Sequence, residues 1–223
     1  MAERVQFFFD VICPFAYQTS LWIRSIRDDG VCEVDWRLFS LEEVNREPDS
    51  EAPWELDWSP GWSLLRVAAF LRRRDPALVD AWYAACGRGL HEEGRPVLQR
   101  EGAVAVIAEM GLPAGTVDAA LADPSTHDDV RADHDWLVAE KGGFGVPTLV
   151  FENGAALFGP VVVPALEGAE ALRLWELVGT WREFPHLYEL KRPKTDADHA
   201  HIADMFNSAV DTGSEPSTET PTL

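Results

Sequence analysis

The stretch at residues 5–14, Val-Gln-Phe-Phe-Phe-Asp10-Val-Ile-Cys13-Pro14, constrains this chain more than any other. Residues 5–9 form a short apolar run rich in β-formers. Such a run predicts a strand buried on both faces, as in a sheet with helices on each side. A brief turn then leads to Cys13-Pro14. Proline suits the first position of a helix, because the N–H it lacks would be unpaired there anyway. Cys13 is thereby placed at a helix N-terminus, where unpaired N–H groups and the helix dipole favour a thiolate. Cys13 is the candidate nucleophile. The position where a dithiol motif would carry its second cysteine holds Ala16.

The following elements read as a continuation of that unit. Phe15, Trp22, Ile23 and Ile26 repeat at helical spacing up to Asp28-Asp-Gly30. Cys32, Val34, Trp36 and Leu38 alternate with Glu33, Asp35 and Arg37, which predicts a second strand with one face more buried. Strand–helix–strand of this length is a βαβ unit with a parallel pair. Cys32 falls on the apolar face and reads as a core residue. Residues 42–61 read as irregular, with Pro48, Pro53, Pro60 and Gly61, and Trp54, Trp58 and Trp62 lie close together. These tryptophans either pin a loop to the core or form a lid over an apolar pocket; in the second case Trp58 and Trp62 line the site.

Residues 62–141 are helical in pattern. One segment closes at Asp75-Pro76; the next has an apolar stripe of Leu78, Val79, Trp82, Cys86 and Leu90, which makes Cys86 a buried small hydrophobe. Helices follow at 101–110 and about 114–122. Another starts at Ser125-Thr-His-Asp128, with Val130, Leu137 and Val138 on its apolar side. His134 shares that side, as a satisfied core residue or as the wall of a cleft. Gly142-Gly-Phe-Gly145 ends the array; it lacks the later glycine and the strand-before-helix context of a dinucleotide site. A strand to Phe151, a turn at Glu152-Asn153-Gly154 and a return at 155–158 predict a hairpin. A helix at about 165–178, an extended segment at 181–194 and a polar helix at 196–206 complete the ordered chain. Residues 211–223 are expected to be disordered.

Composition narrows the function. Against 19 Lys and Arg stand 38 Asp and Glu, a formal net charge of −19, which argues against nucleic acid or an anionic membrane as partner. There is no leader pattern and no bilayer-length apolar run, and the three cysteines do not suggest a disulfide framework. A cytoplasmic protein is expected, as monomer or homodimer. His199 and His201 with Asp196, Asp198 and Asp204 read as a solvated helix face, so no metal is expected. His91-Glu92-Glu93 lacks the second histidine of a zinc-protease helix.

With Cys13-Pro14 opening the first helix and Gly145-Val146-Pro147-Thr148 opening the hairpin, the chain resembles the DsbA-like thioredoxin-fold family. Within it, the chain is similar to the cytoplasmic actinobacterial-type branch near the mycothiol-dependent reductases, kappa-class glutathione transferases and 2-hydroxychromene-2-carboxylate isomerases. Gly89-Leu-His-Glu-Glu-Gly-Arg95 and Tyr188-Glu-Leu-Lys-Arg-Pro193 look similar to that branch, and the likeness covers about residues 4–192. The resemblance implies an α/β, thioredoxin-like fold with an all-helical insertion domain. Residues 1–61 and 142–194 would form the thioredoxin-like part, 62–141 the insertion, and 195–223 a polar helix and tail. It also implies a cis Val146-Pro147 bond beside Cys13. The expected site is then Cys13 with Pro14, Phe15, Ala16, Val146, Pro147 and Thr148, and Trp58, Trp62 and His134 as further walls.

The departure from the family pattern shapes the expected chemistry. Its redox members carry Cys-x-x-Cys, and Ala16 cannot resolve a mixed disulfide. The first expectation is a thiol oxidoreductase using Cys13 alone, with a low-molecular-weight thiol such as mycothiol or glutathione as co-substrate and no tightly bound cofactor. The second is a thiol-dependent isomerase or transferase acting on a small conjugated or aromatic substrate. The third is a non-catalytic binding module.

Overall fold

The computed structural model describes residues 2–207, with side chains to residue 203; the disorder expected at 211–223 lies outside them. Strand β1 (Glu3–Phe9), helix α1 (Pro14–Asp28) and strand β2 (Cys32–Leu38) form the opening unit, with β1 and β2 parallel. Residue by residue, Phe7 stands opposite Trp36 and Phe9 opposite Leu38. Five helices then intervene: α2 is a single turn (Leu41–Val44), followed by α3 (Pro60–Arg74), α4 (Pro76–His91), α5 (Arg100–Glu109) and α6 (Thr116–Ala122). The long α7 (Pro124–Lys141) brings the chain back to the sheet. Strands β3 (Thr148–Phe151) and β4 (Ala156–Phe158) form an antiparallel hairpin, and α8 (Gly168–Trp181) and α9 (Asp196–Asn207) end the described chain. The sheet order is β2-β1-β3-β4, with β3 antiparallel to β1. A parallel βαβ unit completed by a hairpin and a closing helix is the thioredoxin arrangement.

The alternation of β1 sorts its side chains onto two faces. Val5, Phe7 and Phe9 enter the main core with Trp22, Ile23 and Ile26 of α1, and with Trp82, Tyr83 and Leu64 of the helical segment. Phe9 stacks on Tyr83 with ring centroids 4.0 Å apart. α8 covers the same face, where the Trp22 indole N–H donates to the Ala171 carbonyl at 3.1 Å. Phe8 points the other way, into a smaller cluster with Val150 of β3 and Leu137 of α7. Trp136 of α7 stacks on Phe8 nearly in parallel, at 5.9 Å. Sheet and helical segment therefore share one continuous main core, while α7 closes the second face.

Two polar devices fix the helical segment to the sheet. The buried Asp133 carboxylate accepts from the Leu38 N–H at 3.0 Å and from the Arg37 and Arg72 guanidiniums, joining β2, α3 and α7. Glu42 of α2 accepts from the Ser59 hydroxyl at 2.7 Å and the Trp62 N–H at 2.8 Å, satisfying the start of α3.

Local departures from the sequence expectation have physical causes. Residues 42–61 contain α2 and a 3-10 turn at Pro53–Glu55, and α3 begins at Pro60, where the prolines sit at first helical positions rather than breaking structure. α7 begins at Pro124 because Asp123 caps it, accepting from the Ser125 N–H. Val138, expected on the apolar side of α7, is exposed. The run Gly142-Gly143 is a helix stop: Gly142 has φ +65°, and a Cβ on Gly143 would lie 2.4 Å from Leu137 Cγ.

Candidate functional site

The site is built at the C-terminal end of β1. Asp10, fully buried, takes the Ile12 N–H on one carboxylate oxygen at 3.2 Å and the Leu41 N–H on the other at 2.7 Å. The first contact folds the turn in the manner of an Asx-turn; the second ties it to α2. The Cys13 N–H donates to the Asp10 carbonyl at 3.2 Å, and the Cys13 carbonyl receives the Tyr17 N–H at 3.0 Å. Cys13 thus caps α1, with extended backbone angles and Pro14 right behind it. Its Sγ accepts the Ala16 N–H at 3.4 Å and donates to the Val146 carbonyl at 3.6 Å. The Val146-Pro147 bond is cis. The Pro147 carbonyl in turn receives the Gly159 N–H, and the Thr148 hydroxyl donates to the Gly145 carbonyl, both at 2.8 Å.

The thiol is 7% exposed and packs in the smaller cluster with Phe8, Ala16, Phe39, Leu137, Val146 and Val150. Phe15, Leu41 and Val44 lean against this cluster. That packing overturns the expectation of a thiolate. Burial pushes the Cys13 thiol up to about 11, and the neighbouring Asp10 adds to it, against the smaller opposing pull of the Ala16 N–H. The resting group is S–H, pointed at a carbonyl. Burial also pushes Asp10 up to about 7, against the lowering effect of the Leu41 and Ile12 N–H groups.

The structure gathers some of the expected site residues and separates others. Phe15, Ala16 and Val146 pack in or against the cluster that holds the thiol, Pro14 and Pro147 are their chain neighbours, and Thr148 follows on β3 with its hydroxyl turned back to Gly145. His134 lies one layer behind, its ring 4.5 Å from that of Phe39 and its Nδ1 accepting the Ser40 N–H at 3.2 Å. Burial holds its pKa below the ordinary histidine value. Trp58 and Trp62 belong to the main core instead. The Trp58 indole N–H donates to the Leu98 carbonyl at 2.8 Å, and the buried Trp62 packs against Trp54 and His127. Cys32 and Cys86 also sit in the main core, their thiols raised by burial.

Three supporting residues lie outside the expected site. Asp10 reads in the sequence as the end of the first strand; the signal for its role is its spacing, three positions before the cysteine. Glu42 lay in the stretch taken as irregular. His91 lies in the Gly89–Arg95 segment similar to the family branch, and its Nε2 pairs with the Val11 carbonyl at 2.9 Å, behind the Cys13 turn. Beside it, the Tyr17 hydroxyl donates to Glu92 at 2.6 Å. The segment from Gly89 to Arg95 therefore buttresses the first turn of α1. Among the described residues no group of three or more His, Cys, Asp and Glu side chains is placed to hold a metal ion. No described helix is long and apolar enough to cross a membrane.

Known proteins bear on this geometry. The Rv2466c-like family model, described as mycothiol-dependent nitroreductase Rv2466c, matches residues 12–192, from the Cys13 turn to Arg192. The uncharacterized protein Rv2286c of Mycobacterium tuberculosis is 50% identical over 207 residues, covering 93% of this chain and 89% of that protein. Among solved structures, the probable DsbA oxidoreductase SCO1869 of Streptomyces coelicolor superposes with a TM-score of 0.58 at 23% identity, over 86% of this chain and 94% of its own. A 2-hydroxychromene-2-carboxylate isomerase superposes with a TM-score of 0.58 at 16% identity, over 81% of this chain and 95% of its own. The shared architecture is a DsbA-like thioredoxin fold with a helical insertion.

Proposed function

Because this chain belongs to the Rv2466c-like family, we propose that it is a thiol-dependent oxidoreductase that uses Cys13 as its single nucleophile and a low-molecular-weight thiol as reductant. The observation that carries the reading is the setting of Cys13 Sγ: held between the Ala16 N–H and the Val146 carbonyl, with the other two thiols in a different cluster. Mycothiol is the favoured small thiol, since it is the one in the family's description; glutathione is the alternative. A reducing cytoplasm suits such a thiol.

The chemistry is thiol–disulfide exchange in two balanced steps. Cys13 sulfur attacks one sulfur of a bound disulfide, a Cys13–S–S–R bond forms, and the displaced thiolate takes up the Cys13 proton. The small thiol then attacks the R sulfur: a small-thiol–S–S–R bond forms, the bond to Cys13 breaks, and the Cys13 sulfur takes up the proton of the small thiol. The two steps exchange one substrate disulfide for one free thiol and one R–small-thiol disulfide; a second small thiol then frees R as a thiol and leaves the small thiol's own disulfide, so two small thiols supply the two electrons that the substrate gains. Ala16 leaves the second step to an outside thiol. The Val146 carbonyl has a defined part: a ligand that pairs along this backbone competes for the acceptor and frees the Cys13 S–H for reaction.

The test is intact mass under non-reducing conditions after incubation with mycothiol disulfide or glutathione disulfide. One adduct per chain is expected, absent in Cys13→Ser and retained in Cys32→Ser and Cys86→Ser. An unreactive Cys13, or an intramolecular disulfide in place of the adduct, overturns the single-thiol mechanism.

A further inference from the structure

A second feature lies beside the thiol. A groove of about 100 Å³ is lined by the apolar Phe15, Val161 and Val163 together with the basic Arg192, Lys194 and His201. The groove is built onto α1. The Thr19 hydroxyl donates to the Pro160 carbonyl at 2.7 Å, and the Ala165 N–H donates to the Gln18 side chain at 3.0 Å, so the chain between β4 and α8 is laced to the helix that Cys13 caps. Phe15 joins the two regions: it packs on the cluster containing Cys13 and it lines the groove.

The charge of the groove runs against that of the chain. Acids outnumber bases two to one, at 38 against 19. Most arginines elsewhere are matched to carboxylates, as Arg24 is to Asp80, Arg73 to Asp129 and Arg100 to Asp118. Among the described residues, neither Arg192 nor Lys194 comes within salt-bridge distance of a carboxylate, although Arg192, after the Thr195 hydrogen bonds, helps hold the Asp198 carboxyl below its ordinary value. The acid that shares the groove, Asp198, is engaged in starting α9: one of its oxygens takes the Thr195 N–H at 2.8 Å and the Thr195 hydroxyl at 2.9 Å. With Asp198 answering Arg192 in part, the groove keeps an excess positive charge beside apolar side chains and the cluster that holds Cys13, which favours a small ligand with an apolar body and an anionic end.

We propose that this groove is the subsite for a carboxylate on the small molecule that reacts at Cys13, with Arg192 and Lys194 setting the preference. The proposal deepens the oxidoreductase reading and rests on it. Charge here acts by raising the local concentration of the anion, an effect that added salt screens.

Iodoacetate and iodoacetamide test the proposal without knowledge of the natural substrate. Both alkylate the Cys13 sulfur, form a thioether and release iodide and a proton; they differ in carrying a carboxylate or a neutral amide. At low salt the ratio of their rate constants, iodoacetate over iodoacetamide, should fall on the order of tenfold from wild type to the double variant R192E/K194E. In wild type, 0.5 M salt should carry the ratio in the same direction. A ratio equal in both proteins and indifferent to salt overturns the subsite and leaves the oxidoreductase reading standing. Failure of both reagents to label Cys13 at any pH overturns that reading itself. The source of the carboxylate is read from the half-reactions. If the oxidant carries it, the double variant slows mixed-disulfide formation with glutathione disulfide; if the reductant carries it, the variant slows release of a neutral Cys13 mixed disulfide by glutathione.

Discussion

At Cys13 the Ala16 N–H and the end of α1 stabilise negative charge on sulfur, while burial among Phe8, Phe39 and Val146 opposes it. Burial wins, and the thiol rests near 11. The rate of Cys13 alkylation by iodoacetamide should accordingly rise about tenfold per pH unit from pH 7 to beyond pH 9. A plateau near neutral pH would show that the helix end prevails. Asp10 gives a second pH signature. Its folded pKa of about 7 lies above the unfolded value of 3.8, so the folded state holds the proton more tightly. Stability from this group is full below about pH 4 and is lost as pH rises toward 7. Chemical denaturation of Asp10→Asn and wild type should show the wild-type advantage shrinking across that window; an advantage that grows with pH would contradict the assignment. Cys13 itself was legible in the sequence, because a cysteine-proline pair at a strand end has few other uses. Its burial was not: Phe39, Leu137 and Val146 come from three distant segments, and no local pattern records their convergence.

The elements show the same division. The βαβ unit and the hairpin were readable because Cys32–Leu38 alternates and Gly154 marks the turn at φ +84°. α3 starts at Pro60, two residues before the helical pattern of the sequence begins, because Pro48, Pro53 and Pro60 give a loop pattern and the helix end is satisfied by the distant Glu42. Trp58 and Trp62 fit lid and core equally well by spacing; what places them is contact with Leu98, Trp54 and His127. The close meeting of α1 and α4 was also hidden. A Cβ on Gly87 would sit 2.1 Å from the Tyr17 ring. Gly87→Ala must therefore push Tyr17 off its place, and urea denaturation should register a loss of about 1–3 kcal/mol. The Tyr17 pair with Glu92 would shift too, disturbing the turn that His91 supports. Unchanged stability would mean that the two helices part without cost.

Across the molecule, the helical insertion is joined to the sheet by one shared core rather than by a hinge. Phe9 stacks on Tyr83, and Asp133 bridges β2, α3 and α7. Unfolding should be a single transition, with near-ultraviolet and far-ultraviolet circular dichroism curves that coincide; separated curves would mark 62–141 as an independent unit. The order β2-β1-β3-β4 also has a temporal side. β2 follows β1 within 30 residues. β3, the neighbour on the other edge, starts only at Thr148. At ordinary synthesis speed the interval is on the order of ten seconds. Throughout it the Phe7-Phe8-Phe9 segment presents an unpaired apolar edge, the kind of surface that other nascent chains add to. The strand that leads into the Cys13 turn is thus the one most in need of chaperone cover while the chain is being made.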